Sequence, residues 1–76
     1  MHKISNRDTD IQIKEAIKNL PEKQRSVFVL YEIYRMKYRE ISKTLEMPIN
    51  SVKVNLMRAR KDLQLQLNEI KLQEAI

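Results

Sequence analysis

Apolar residues recur along this chain at helical spacing, in four runs separated by short polar or proline-marked breaks. Ile13, Ala16, Ile17 and Leu20 form the first run. Thr9 with Gln12 three residues later is a capping-box pattern, and Asp10 suits the positive end of a helix dipole, so a first helix is expected from Thr9. Pro21 ends it, because the residue before a proline avoids the helical region, and then suits the opening position of a second helix. That helix is expected from Glu22 to about Tyr34, with Val27, Leu30, Tyr31 and Tyr34 on one face and Phe28 broadening it. Arg35-Met36-Lys37 reads as a connection. Tyr38, Ile41 and Leu45 mark a short third helix over Tyr38 to Leu45. After the break Glu46-Met47-Pro48, a fourth helix opens at Ile49 and is expected to run close to Ile76. Leu63 to Leu67 alternates like a strand, but both flanks keep the helical period. The prediction is a small all-α, four-helix domain over residues 9–76, preceded at 1–8 by a disordered lead-in or the end of a linker.

Composition supports helices. The chain contains no Gly and only two Pro, which removes the usual punctuation of hairpins. A domain of 76 residues buries only about 60% of the surface its unfolded chain exposes, so its core must be thin. Without Cys there is neither a disulfide framework nor a thiolate metal site. No apolar run is long enough to cross a bilayer and no signal-peptide pattern opens the chain, so a cytoplasmic location is expected. The net charge of +5 is uneven: Pro48 to Asp62 alone carries +3, whereas Leu63 to Ile76 carries −1. A charge gradient of this kind points to a polyanionic partner for one face.

The fourth helix concentrates that signal. At roughly 100° per residue, Val52, Leu56, Ala59 and Leu63 fall in one narrow wedge. Asn50, Val54, Arg58 and Lys61 fall opposite; Lys53 and Arg60 lie along one shoulder, Ser51 and Asn55 along the other. A short helix, a three-residue break and an amphipathic helix with outward cations is the pattern of a helix-turn-helix, whose second helix enters the DNA major groove. Asn50, Ser51, Val54 and Asn55 are the expected base readers, since Asn pairs with adenine and Val can touch a thymine methyl. Lys53, Arg58, Arg60 and Lys61 are the expected phosphate contacts.

The runs "LPEKQRSVFVLYEI", "YREISKTL" and "SVKVNLMRARKDL" resemble region four of bacterial RNA polymerase sigma subunits, especially the extracytoplasmic-function group. The resemblance covers about Ile13 to Leu67. It implies a domain that reads the upstream (minus thirty-five) promoter element in duplex DNA while its other side docks on the flap of the polymerase beta subunit. It places Ser51 at the family's Thr, Lys53 at its Lys, and Arg58 and Arg60 at its two Arg; Asn55 replaces a frequent Arg. Arg35 and Glu46 stand at turn positions where the family often has Gly. Lys37 and Pro48 replace Ser helix caps, so both helix starts are expected to be weaker. Nothing in the chain matches the domain that grips the polymerase clamp, so it is expected to be one domain of a larger factor.

Competing readings are blander. Cations on a helix face are ordinarily just solvated, and three tyrosines at helical spacing are ordinarily core and rim. A stand-alone dimeric helix-turn-helix regulator, or a helical protein-interaction module that does not bind DNA, would use the same residues differently. His2, Asp8 and Asp10 form no catalytic or metal-binding set, so no enzyme, cofactor or metal is expected. Membrane binding is not expected, because the apolar stripe suits a small core better than a lipid surface. Leu65, Leu72 and Ile76 form a second apolar stripe beyond Leu63, Leu67 and Ile70. Such a stripe is expected to meet a protein partner: the flap, an anti-sigma factor, or a second copy of the chain.

Overall fold

The computed structural model of the protein describes the backbone of residues 2–75 and the side chains of residues 10–68. It is all-α among the described residues: α1 (His2–Lys18), α2 (Glu22–Phe28) continuing into a π-helical segment (Val29–Ile33), α3 (Tyr38–Leu45) and α4 (Ile49–Ala75). The bounds of α3 match the expected ones, and α4 opens and runs as its pattern predicts. No described helix is long and apolar enough to cross a membrane.

α1 begins at His2, upstream of the Thr9 start that the capping pattern predicts, so residues 2–8 carry helical backbone. No Gly or Pro halts the ladder there, and Thr9 and Asp10 lie inside the helix instead of at its mouth. At its far end the Arg25 guanidinium donates to the Lys18 carbonyl at 3.0 Å, placing a cation on carbonyls that the helix leaves unpaired.

α2 departs more from expectation. The straight helix to Tyr34 is replaced by a π turn, in which Tyr34 N–H donates to the Val29 carbonyl at 3.2 Å, five residues back. The wider turn advances the register of the residues beyond it. Tyr34, expected beside Val27, Leu30 and Tyr31, is turned out and is 68% exposed. Two non-glycine residues then take left-handed conformations, Arg35 (φ 60°) after the π turn and Glu46 (φ 53°) after α3. Following Glu46, Met47 N–H donates to the Ser42 carbonyl at 3.1 Å, and the Met47 side chain packs on the core. This is a Schellman-type closure built without glycine.

The core has two parts. Val27, Ile41, Val52 and Leu56 bury together where α2, α3 and α4 meet. Ala16, Leu20, Ala59 and Leu63 bury together where α1 lies against α4. Phe28 packs against both. All four residues of the predicted α4 wedge are therefore core. Ile13, expected on the α1 seam, is instead exposed; Ala16 and Leu20 make the contact with α4. Gln66 adds a bond across the same joint, donating to the Ala16 carbonyl at 3.3 Å. Further along α4, Leu67 is half-buried and Leu65 exposed. The side chains of Ile70, Leu72 and Ile76 lie outside the described residues.

Candidate nucleic-acid interface

The α3–turn–α4 unit is set by its termini. The Lys37 N–H donates to Glu40 Oε1 at 2.8 Å, but Lys37 has no side-chain acceptor to return the bond, so only half of a capping box forms at the start of α3. Pro48 takes the corresponding place before α4, where its carbonyl accepts from Val52 N–H at 3.1 Å. Both starts lack a side-chain cap, as the replacement of Ser predicts. What steadies the turn is Ser42, whose hydroxyl donates to the Met47 carbonyl at 2.5 Å while its own carbonyl accepts from Met47 N–H.

With Val52, Leu56, Ala59 and Leu63 buried, the opposite face of α4 is turned to solvent. Asn50, Val54, Arg58 and Lys61 are all exposed there, and Arg58 and Lys61 have no partner among the described residues. Met57 shares this face and is 63% exposed. Its apolar chemistry hides it among the sequence candidates, although the wheel that selects Asn50 and Lys61 places it between them and the shoulder. Ser51 and Asn55 sit at the edge, half-buried. Asn55 Nδ2 donates to the Ser51 carbonyl at 2.8 Å, which leaves its Oδ1 free to accept.

The shoulder cations are engaged differently. Arg60 directs Nε (3.1 Å) and Nη2 (2.7 Å) at Glu32 Oε2, and its guanidinium carbon lies 5.6 Å from the Tyr31 ring centre. Tyr31 stacks on Tyr38 with centroids 5.0 Å apart and planes 21° apart, and Lys53 Nζ stands 5.8 Å from the Tyr38 ring centre. The bonds to Glu32 raise the Arg60 pKa, so it stays charged. The Tyr31 hydroxyl, and then burial, push the Tyr38 phenol above its ordinary value. Of the four expected phosphate contacts, Arg58 and Lys61 are therefore free, while Lys53 and Arg60 are held against tyrosines of neighbouring elements.

The family model for sigma-70, region 4 matches residues 10–63, well over half of the chain. No curated protein matches it closely enough to count as a relative. The matched span runs from within α1 to Leu63, taking in both core clusters and the outward face of α4, and the chain accordingly belongs to the sigma-70 region 4 family.

Proposed function

We propose that this domain reads the minus thirty-five element of promoters as region four of an extracytoplasmic-function sigma subunit, in the cytoplasm, while docking on the beta flap of RNA polymerase. Region four is the upstream promoter-binding domain of sigma factors, and the observation that carries the reading here is the outward face of α4. Its polar and cationic side chains converge on solvent because the opposite stripe is fully buried. Asn50 and Val54, with Ser51 and Asn55 at the edge, meet base edges near the helix start, where a recognition helix enters the major groove. Arg58 and Lys61, further along, neutralise phosphates. The apolar residues of the far half of α4, among them exposed Leu65, serve a protein partner: the flap, an anti-sigma factor or a second copy.

The test has two stages. Selection from a randomised duplex pool should recover a common motif. Titration of the recovered duplex at several salt concentrations should then show a negative logarithmic slope that becomes shallower by about 2 when Arg58→Ala and Lys61→Ala are combined, since each neutralised phosphate contributes about 0.9. A chain that recovers no motif and binds no duplex at low salt is not a promoter reader. A slope indifferent to the two substitutions removes them from the interface.

A further inference from the structure

The ladder of Arg60, Tyr31, Tyr38 and Lys53, closed by Glu32, holds two of the cations that the sequence assigns to DNA. We infer that Arg60 and Lys53 are positioning residues that fix the roll of the recognition helix, and that Arg60 makes no phosphate contact. The inference rests on the promoter-reading function above and concerns how the reading helix is aimed.

Geometry supports it first. Lys53 and Arg60 stand two turns apart on the same shoulder of α4. Their partners come from two other elements: Tyr31 and Glu32 from the π-helical segment, Tyr38 from the first residue of α3. A helix gripped at two levels along one shoulder resists rotation about its own axis, and rotation is the motion that would carry Asn50 and Val54 off the bases. The buried stripe sets which side of α4 faces the core, and the shoulder contacts add a hold on its roll at the rim of that stripe.

Electrostatics supports it second. The Arg60 guanidinium spends its Nε and one terminal nitrogen on a single carboxylate oxygen. A cation 2.7 Å from an anion presents little net charge to a polyanion. A phosphate brought to the N–H donors that Arg60 still has free would also meet the Glu32 carboxylate, so Arg60 must either share its charge between the two anions or leave Glu32. Arg58 and Lys61 face no such choice. The pair is half exposed, at 52% and 34% of its side-chain surface. Its value is therefore directional more than energetic, as exposed ion pairs contribute at most about 1 kcal/mol.

The two roles for Arg60 predict opposite signs. Glu32→Gln removes a negative charge, so if Arg60 touches phosphate the variant should bind the selected duplex more tightly, with the salt slope steeper by up to about 0.9. If Arg60 positions the helix, the same variant should bind roughly two- to five-fold more weakly, with the slope unchanged. Reversing the pair, Glu32→Arg with Arg60→Glu, leaves net charge unaltered. It should restore affinity to within about two-fold under the positioning role, and leave binding weak with a shallower slope if Arg60 is a phosphate contact. Helix content by circular dichroism accompanies each titration, and the slope is insensitive to the fraction of active protein, so a partly unfolded variant still separates the two roles. Tighter binding by Glu32→Gln, or a reversed pair that stays weak with a shallower slope, overturns the inference. A parent chain that binds no duplex overturns the promoter reading itself, a separate and recognisable result.

Discussion

Replacing Arg35 and Glu46 by glycine should make this domain more stable, although neither change adds a contact. Both residues have left-handed backbone, at φ 60° and φ 53°. A side chain bearing a Cβ costs roughly 1–2 kcal/mol there, because the Cβ crowds the following carbonyl. Glycine relieves that crowding but gives back about 0.5–1 kcal/mol through the greater freedom of the unfolded chain. The net gain is about 0.5–1 kcal/mol per site, and both side chains are exposed without hydrogen bonds to forfeit. Glu46 adds a small term of the same sign, since its carboxylate sits at the negative end of α3. Two sites together give about 1–2 kcal/mol, which in a domain of this size raises the midpoint of thermal unfolding by on the order of 10 °C. Circular dichroism melts of Arg35→Gly, Glu46→Gly and the double variant read this directly. Lys43→Gly, one turn earlier with helical backbone, serves as the control and should lose about 0.5–1 kcal/mol. A double variant that melts at or below the parent temperature refutes the strain argument.

Three further outcomes are expected. Phe28→Ala, which removes the ring packed on both core clusters, should cost about 2–4 kcal/mol in urea unfolding, a large share of the stability of so small a domain. Ser42→Ala should cost about 1 kcal/mol in the same assay and lower affinity for the selected duplex more than its stability loss accounts for, because the turn that aims α4 loses one of its two ties. Tyr38 has a folded-state pKa raised above its ordinary value, so its neutral form is the one the fold favours. The stability it contributes is complete below the ordinary tyrosine range and is lost as pH rises through the raised value. Alkaline unfolding followed by circular dichroism should therefore set in at higher pH for Tyr38→Phe, with little difference at neutral pH.

Sequence pattern reveals most where periodicity and proline act locally. Pro21 and Pro48 mark helix starts in any context, and the α4 wedge of Val52, Leu56, Ala59 and Leu63 is core because those positions coincide on any wheel. The start of α1 is misplaced by the pattern, because Thr9 and Gln12 form a capping pair that a helix is free to run through when nothing upstream interrupts it. The π turn has no signature: Val29 to Ile33 consists of ordinary helix and strand residues. Without it, Tyr34 reads as a face residue. The pairing of Arg60 in the candidate site is likewise nonlocal. A wheel can put Arg60 on a shoulder, but only the fold shows that Glu32, 28 positions earlier, faces that shoulder. Met57 is legible by position and obscured by its chemistry.

The division of the interior into two clusters that share Phe28 has its own consequence. The half bearing the outward face of α4 is packed from α2, α3 and the first turns of α4, whereas α1 rests on later turns through one small cluster, Ala16 and Leu20 with Ala59 and Leu63, joined by Ile17, Phe28 and the Gln66 hydrogen bond. Amides of α1 should accordingly exchange with solvent through a cheaper opening than those of Ile41 or Leu56. In such an arrangement the amino-terminal helix can open while the half that carries the outward face of α4 stays folded.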